Sequence, residues 1–295
     1  MARPRELRRR IRSVQNTRKI TKTMELVATS KLKRAQDRVV AARPYAAALA
    51  EVIADLYSPD LAERFALLRQ PSPPPAGAGR VALVVLTANR GLCGAFNANL
   101  IREGRRRLQE LEGAGVAVDL HLVGKKGIGF FKFAGRVIAS QRTDIGDRPT
   151  AAHAAELVTP LLRAFEAGTL DAVEVVYAKF ISPISTPATV LRILPVTPPQ
   201  ADGRTGGRAG NYILKPSAEA ILERLLPLYV ENQMFRALVE TAAAEHGARR
   251  TAMKNATDSA GDILDILRRT YNRARQAQIT QEIAEIVGGA EALQG

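Results

Sequence analysis

Long helical patterns at both ends of this 295-residue chain constrain its fold more than any other feature. From residue 5 to residue 57 only Pro44 interrupts a helical pattern, and from 228 to 287 there is no proline, with Gly247 and Gly261 as the weak points. At a rise of 1.5 Å per residue, such helices would be roughly 80 and 90 Å long. No compact domain of this size can bury them around one core, so we expect them to pack on each other or on partner proteins.

Both ends show an alternating spacing of three and four residues, which is typical of the seam of a left-handed coiled coil. In the first end the spacing selects Leu7, Ile11, Val14, Arg18, Thr21, Glu25, Ala28, Leu32, Ala35, Val39 and Ala42. In the second it selects Phe235, Leu238, Ala242, Glu245, Arg249, Ala252, Ala256, Ser259, Ile263, Ile266, Thr270, Arg273, Ala277, Thr280, Ala284 and Val287. Many of these residues are small, which lets two backbones approach closely. The charged ones do not suit a self-sufficient coiled coil. Two helices at opposite ends of a chain pair most simply as a long antiparallel coiled coil, and we predict this arrangement.

Strands alternate with helices between the two ends. Helical stretches separate the first three of four strand-like runs, which cover residues 81–86, 116–123, 172–180 and 188–194. This alternation predicts βαβ units and a central, Rossmann-like α/β domain with a mostly parallel sheet. The last two runs are joined by the short connection ISPISTP. We expect that pair to be antiparallel, because a parallel crossover needs about a dozen residues.

Two linkers rich in proline and glycine divide the chain into three predicted parts. The linkers are QPSPPPAGAG at 70–79 and the segment from Thr197 to Asn211. We therefore predict an N-terminal helix within 1–70, a central α/β domain within 71–215 and a C-terminal helix within 216–295.

The net charge of +14 is concentrated at the N-terminal end. Residues 1–50 contain 14 basic and 3 acidic residues, a net charge of +11, whereas residues 228–295 contain 8 basic and 9 acidic residues, a net charge of −1. A basic helix suits a nucleic acid, an anionic lipid surface or an acidic protein surface. No apolar run approaches 18 residues, so we expect no membrane-spanning helix. With Cys93 as the single cysteine, an intramolecular disulfide is excluded.

The loop from Thr87 to Asn97, TANRGLCGAFN, follows a strong strand and precedes a helix. Ligands often bind at this position of an α/β sheet, and Gly91 and Gly94 would free backbone amides for an anion. The loop matches neither of the common glycine patterns that bind phosphate. A structural turn or a protein contact is therefore the favoured interpretation.

The chain offers no recognisable catalytic or metal-binding cluster. Cys93, His121 and His153 lie in the same predicted domain, but no local signature joins them, and Cys93 is expected to be a small buried thiol. Lys125 and Lys126 are expected to lie in a solvated turn after a strand. We predict no catalytic residue, no cofactor and no metal.

Two functions besides the one favoured below remain open. The basic N-terminal helix would suit a coiled-coil protein that binds nucleic acid through phosphate contacts, although aromatic residues for base stacking are absent before Tyr45. The loop at 87–97 would suit an α/β enzyme with helical appendages. Salt-sensitive binding of DNA or RNA by the isolated chain would support the first, and turnover by the isolated chain would support the second.

Three segments resemble signatures of the gamma subunit of F-type ATP synthase, in the order in which the family has them. They are IRSVQNTRKITKTMELVATSKL from Ile11, ENQMFRAL from Glu231 and ARQAQITQEIAEIVGGA from Ala274. The loop RGLCGAFN from Arg90 is also similar to that of the family, so the resemblance covers the whole chain. The family usually has an aspartate where this chain has Asn89. The extra cysteine pair of the redox-regulated chloroplast members is missing, so thiol switching is not expected.

The resemblance implies a central rotor stalk that is not itself an enzyme. In the family, the paired terminal helices form a shaft inside a hexamer of alternating alpha and beta subunits. The α/β domain helps to hold the epsilon subunit and the ring of c subunits. Proton flow turns the ring and the shaft together. The asymmetric shaft then biases each catalytic site among its conformations, which requires different contacts with each conformation.

The resemblance also implies where this chain would contact the hexamer and where it would be located. The contacts are expected at Lys19, Lys22 and Met24 on the first helix and at Arg275, Gln276 and Thr280 on the second. The start MARPRELRRR is rich in arginine but lacks the serine richness of a transit peptide. We therefore expect a bacterial protein that lies peripherally on the cytoplasmic face of the inner membrane and binds no nucleic acid.

Overall fold

The computed structural model describes residues 4–57, 64–69, 79–197 and 217–294, with side chains described as far as residue 290. Their contacts divide the chain into a terminal unit, residues 1–28 and 250–295, and a sheet unit, residues 29–249. The two predicted linkers lie almost wholly outside the described residues, and the division into 1–70, 71–215 and 216–295 stays a prediction. None of the described helices has the length and apolar character needed to cross a membrane.

Five helices and five strands make up the described part of the chain, together with a short 3-10 helix at Ala66–Leu68. In chain order they are α1 Pro4–Leu56, β1 Arg80–Leu86, α2 Phe96–Gly113, β2 Ala117–Val123, α3 Lys125–Phe133, β3 Ser140–Arg142, α4 Ala151–Glu166, β4 Ala172–Ala178, β5 Ala188–Leu194 and α5 Ala218–Gln294. The prediction of two long terminal helices around a central α/β domain is confirmed.

The last helix extends beyond the proline-free stretch at 228–287. It starts at Ala218, within the predicted range of 216–295, and includes Pro227. A proline inside a helix removes one hydrogen bond and costs about 3 kcal/mol. Leu222, Leu226 and Val230, on both sides of Pro227, are fully buried. The burial of their side chains outweighs the cost of the proline.

The two terminal helices pair in antiparallel orientation within the terminal unit. The hydroxyl of Thr257 on α5 donates to the hydroxyl of Thr21 on α1 at 2.8 Å. The guanidinium of Arg18 lies over Gly261, where an added Cβ would be 3.7 Å from its Cζ atom. The partner number on α5 rises as the number on α1 falls, so the helices run in opposite directions, as predicted.

The predicted seam of α1 is confirmed. Leu7, Thr21 and Ala28 are buried, and Ile11 and Val14 are half-buried. The charged seam residue Arg18 remains exposed, and the carboxylate of Glu25 is paired with Lys22 at 3.1 Å. Charged residues are tolerated here because none is buried without a partner.

The predicted seam of α5 is wrong by one residue in the terminal unit. The buried residues are Met253, Thr257, Ala260 and Leu264, not the expected Ala252, Ala256, Ser259 and Ile263. Ile263 and Ile266 are 48% and 59% exposed. A strict repeat of seven drifts by about 20° per heptad against an α-helix. Extended over several turns from Phe235, the repeat therefore moves off the buried side of the helix.

The later part of the predicted seam has no partner on α1. Arg18 lies opposite Gly261, and 14 residues before Arg18 the helix α1 begins at Pro4. In an antiparallel pair, the residue of α5 opposite Pro4 is therefore about 14 residues after Gly261, at Arg275. Residues 275–290 of α5 are accordingly all exposed. These include the predicted seam residues Ala277, Thr280, Ala284 and Val287, so this part of the prediction is also wrong.

The corrected seam can be tested with two neighbouring residues of α5. Leu264→Ala should lower the free energy of unfolding by about 2–4 kcal/mol, because it opens a cavity between the helices. Ile263→Ala removes a similar volume from an exposed site and should cost less than about 1 kcal/mol. Urea unfolding of the purified variants, followed by circular dichroism, measures both. Equal costs, or a larger cost at Ile263, would restore the original seam.

The sheet has the order β3-β2-β1-β4-β5. β1 pairs in parallel with β2 and β4, and β2 pairs in parallel with β3. β5 runs antiparallel to β4, as its short connection predicted. The sequence pattern did not reveal β3, because three residues are too few to show a periodicity.

Helices cover both faces of the sheet. Alternate residues of β1 point to opposite faces: Ala82 and Val84 join one apolar cluster with α4, whereas Leu83 and Val85 join another with α2 and α3. Both long helices contribute to both clusters. In α1, Leu49 and Ile53 belong to the first cluster, while Leu32, Ala35 and Val39 belong to the second. The sheet unit therefore includes the inner parts of α1 and α5 in its core.

One buried carboxylate ties the second face together. Glu174 of β4 is 2% exposed and accepts two hydrogen bonds from Arg107 of α2, at 2.6 and 2.8 Å. Arg192 of β5 adds a third at 3.1 Å. Burial alone would raise the pKa of Glu174, but the two guanidinium groups outweigh it and hold the pKa below its usual value. The carboxylate thus stays charged and joins a helix to two strands.

Candidate functional site

The loop that follows β1 is a structural junction at the carboxyl ends of the parallel strands. The hydroxyl of Thr87 donates to the carbonyl of Val123 at 2.8 Å and accepts from the N–H of Gly127 at 3.0 Å. Gly124 has a φ of +96°, and an added Cβ would lie 2.1 Å from the carbonyl oxygen of Thr87. Glycine is therefore required at position 124. These contacts support the structural interpretation of the loop at 87–97.

Asn89 joins three loops through its side chain. Its amide nitrogen donates to the carbonyls of Thr143 at 2.9 Å and Ile145 at 3.0 Å. Its amide oxygen accepts from the N–H of Lys125 at 3.1 Å. A carboxylate could accept from Lys125 but could not donate to the two carbonyls. An aspartate at this position could therefore keep only one of these three hydrogen bonds.

The candidate nucleophile is a buried thiol, as expected. Cys93 is buried, its sulfur accepts from the side-chain amide of Asn97 at 3.1 Å, and burial raises its pKa. His153 forms a capping box with Thr150 at the start of α4. The N–H of Thr150 donates to Nδ1 of His153 at 3.2 Å, and the N–H of His153 donates to the hydroxyl of Thr150 at 3.3 Å. Burial lowers the pKa of His121 on β2. No hydrogen bond joins these three residues in the part of the chain that the structure describes.

The prediction that Lys125 and Lys126 occupy a turn is wrong. They begin α3, with Gly124 as the residue before the helix, and both side chains are exposed. The switch from strand to helix takes one residue because Gly124 has a positive φ.

A cleft of about 1000 Å³ lies at the carboxyl ends of β1, β2 and β3. The loops after these strands form one wall, and the inner parts of α1 and α5 form the other. Six cationic side chains line the cleft: Lys31, Arg34, Arg38, Arg90, Lys125 and Arg148. Among the described residues, no carboxylate lies within ion-pair distance of the last five. The same lining includes the carboxylates of Asp37, Asp144, Asp147 and Glu245, so the cleft has a small surplus of positive charge, and four segments contribute its cations.

A cluster of charged groups fills the inner end of this cleft. Lys31 of α1 forms an ion pair with Asp147, which follows β3. On α5, Arg249 pairs with Glu245 at 2.7 Å and donates to the carbonyl of Gly91 at 3.2 Å. Nε2 of His246 lies 3.9 Å from the carboxylate of Asp147. Through this cluster both long helices contact the loops of the sheet.

His246 is neutral in this cluster at neutral pH. Burial, together with the charges of Arg249, Lys31 and Arg34, lowers its pKa to about 4 in spite of Asp147. Burial alone would raise the pKa of Asp147, but the hydrogen bond from Lys31 and the nearby cations lower it. The contact between His246 and Asp147 is therefore not an ion pair above about pH 5.

The six residues predicted to contact a hexamer all lie in the terminal unit. Lys19, Lys22, Arg275, Gln276 and Thr280 are exposed, and Met24 is half-buried. Lys22 is engaged by Glu25, and the hydroxyl of Thr280 donates to the carbonyl of Gln276 at 3.0 Å. Exposure leaves these side chains accessible, and their contacts with partners stay a prediction.

An exposed apolar stripe was missed by the sequence analysis. It consists of Ile279, Ile283, Ile286 and Val287, each 46–71% exposed, on the part of α5 beyond Arg275. Their spacing of four, three and one places them on one side of the helix. The helical spacing was visible in the sequence, but the expected pairing with α1 assigned Val287 to the seam instead.

The role of Asn89 can be tested by removing its side-chain amide. Asn89→Ala should lower the free energy of unfolding by about 1–3 kcal/mol, because it removes three hydrogen bonds that join the loops. Asn89→Asp keeps only the acceptor and should recover part of this loss at most. Asn99→Ala, on the exposed side of α2, is the matched control and should change little. Full stability of Asn89→Ala in urea unfolding would contradict the assigned role.

The lowered pKa of His246 predicts a pH dependence of stability. In the unfolded chain the imidazole takes up a proton near pH 6.5, whereas in the folded chain it does so only near pH 4. Stability should therefore fall as the pH is lowered from about 6.5 to about 4, by a few kcal/mol at most from this group. His121 contributes in the same direction, so the His246→Gln variant should show a shallower fall rather than none. Identical pH profiles for variant and wild type would contradict this.

Comparison with known proteins places the whole chain in one family. A family model described as ATP synthase matches residues 3–293. The ATP synthase gamma chain of Gemmatimonas aurantiaca is 63% identical over 295 residues, which is 100% of both chains. That of Moorella thermoacetica is 46% identical over 293 residues, 99% of this chain and 100% of the relative.

The fold is shared with a known rotor. A cryo-EM structure of the rotor of the Euglena gracilis mitochondrial ATP synthase aligns with a TM-score of 0.64 at 20% identity, covering 94% of this chain and 98% of that chain. At this identity the likeness concerns the fold alone. The resemblance carried by the terminal segments is thus confirmed by near relatives over the full length. The chain belongs to the ATP synthase gamma chain family.

Proposed function

We propose that this chain is the central rotor stalk of an F-type ATP synthase, coupling proton flow through a membrane ring to ATP synthesis or hydrolysis at the beta subunits by rotation. The observation that carries the proposal is the antiparallel pairing of α1 and α5 in a chain 63% identical to an ATP synthase gamma chain. The chain itself is non-catalytic, and the catalysis belongs to the complex. It lies peripherally at the cytoplasmic face of a bacterial inner membrane.

The partners are an alpha/beta hexamer around the terminal unit, and an epsilon subunit and a ring of c subunits at the sheet unit. Support for the first comes from the surface of α5 beyond Arg275. Here a single helix exposes apolar side chains beside Arg275, Gln276 and Thr280. A helix whose apolar stripe is left uncovered by the described part of its own chain is suited to bind another protein.

The exterior of the paired helices suits a shaft that must turn. Lys19 and Lys22 are exposed on α1, and Arg268 and Asp265 form an exposed pair on α5. Exposed ion pairs contribute little free energy each. Contacts made through such groups break and re-form at low cost, as a shaft turning inside a sleeve requires.

Binding of nucleic acid is the weaker alternative. The cleft carries cations, such as Arg38 and Arg90, that have no carboxylate within ion-pair distance among the described residues and are suited to contact phosphates. Among the described side chains of α1, the aromatic ring available for base stacking is that of Tyr45, near its far end. Co-purification separates the two functions: a nucleotide-binding hexamer recovered with the chain supports the rotor, and salt-sensitive binding of DNA or RNA without such a hexamer supports the alternative.

Met24 tests the placement of the hexamer on α1. In a reconstituted complex, Met24→Lys should lower ATP-driven proton pumping several-fold relative to ATP hydrolysis, because it adds a charge where the helix faces the beta subunits. Leu26→Lys adds the same charge on the opposite side of α1, about 200° away, and should have a smaller effect. Pumping is followed by quenching of a pH-sensitive dye in membrane vesicles, and hydrolysis by phosphate release. Unchanged coupling in Met24→Lys would show that this contact is misplaced.

A further inference from the structure

The inner parts of α1 and α5 bring cations together beside the sheet. In addition to burial, the charges of Lys31 and Arg34 on α1 and of Arg249 on α5 all lower the pKa of His246, which is buried between these elements and the sheet. These cations belong to two different helices. Without an anion between them, their mutual repulsion would oppose the packing of α1 against α5.

The anions available to these cations differ in origin. Glu245 lies on α5 and forms an i,i+4 pair with Arg249 at 2.7 Å, so it serves its own helix. Asp147 comes from the segment between β3 and α4. It forms an ion pair with Lys31 on α1, and its carboxylate lies 3.9 Å from the neutral ring of His246 on α5. The cation that it meets from α5 is Arg249, whose charge helps to lower the pKa of Asp147. Asp147 is thus the anion that the sheet places against both helices.

The apolar contacts of α1 near this point cannot supply the same constraint. They involve Leu32, Ala35 and Val39. Apolar burial is non-directional, so these contacts favour proximity but do not fix the angle of the helix. An ion pair with a loop of the sheet has a defined position and direction.

We propose that Asp147 is the shared counter-ion through which the sheet holds α1 and α5 together, and that it is a positioning residue for coupling. The inference rests on the rotor function proposed above. In a rotor, torque must pass between the sheet unit and both helices. If α1 separates locally from α5, the helices bend when torque is applied. Hydrolysis at the beta subunits then continues with fewer protons pumped per ATP.

The test compares variants in the reconstituted complex in membrane vesicles at low ionic strength. Asp147→Asn should lower the ratio of proton pumping to ATP hydrolysis at least twofold. Asp147→Glu, which keeps the charge, should retain most of the ratio. Asp37→Asn is the matched control, since it breaks the exposed Lys33–Asp37 pair within α1 at 3.0 Å and should leave the ratio unchanged.

Two further measurements distinguish a counter-ion from a merely structural residue. In the Asp147→Asn background, Lys31→Gln removes a cation that has lost its partner and should restore part of the ratio. Salt should also reduce the difference in Tm between the purified wild-type chain and Asp147→Asn, because it screens repulsion between the cations. The inference is wrong if Asp147→Asn pumps like wild type. It is also wrong if salt leaves the difference in Tm unchanged and Lys31→Gln restores none of the pumping ratio.

The result for the wild-type chain distinguishes failure of this inference from failure of the rotor function. If the wild-type chain does not assemble with a hexamer or does not couple hydrolysis to pumping, the rotor function fails. If wild type couples and Asp147→Asn couples equally well, the rotor function stands and only the role of Asp147 fails.

Discussion

The packing of α1 and α5 into the core of the sheet unit is the interaction on which the rest of the structure depends. Each of these helices contributes to the apolar clusters on both faces of the sheet. Leu222, Leu226, Val230 and Met234 of α5 are essentially inaccessible to solvent. Burial of this kind yields about 25 cal/mol per Å² of apolar surface. This burial holds the inner parts of α1 and α5 in the core and offsets the cost of Pro227 within α5.

The same two helices change character outside that core. Within the sheet unit they are fixed by large apolar residues and by hydrogen bonds to strand ends, such as that from the N–H of Phe180 to buried Glu240 at 3.1 Å. Within the terminal unit, the contact between them relies on small and polar residues, with Thr21 bonded to Thr257. Beyond Arg275, α5 extends past the described end of α1, and its apolar stripe is exposed. One helix thus provides an anchor, a pairing surface and a free binding surface in turn.

The sequence predicted most of the fold and little of the site. The buried side of α1 follows the spacing of three and four residues, although Ile20, Leu26, Val27 and Val40 on the same helix are exposed. The α5 seam was not predictable, since Ile263 and Ile266 are as apolar as Leu264, and only the partner helix decides which side is buried. Asn89 bonds carbonyls 54 and 56 residues away, and Lys31 pairs with a residue 116 positions away. Such contacts arise from the folded sheet and leave no local pattern. The resemblance of three segments to the gamma family was the sequence signal that located the function.

A measurement of the rotation of this chain would test the proposed rotor function most directly. A probe attached at an exposed residue of the sheet unit, such as Lys132 on α3, can be followed by single-molecule microscopy in a complex whose hexamer is fixed to a surface. On addition of ATP, a rotor stalk should rotate stepwise in one direction, and the rotation should stop when ATP is removed. A hexamer that hydrolyses ATP at its normal rate while the bound probe stays still would contradict the account.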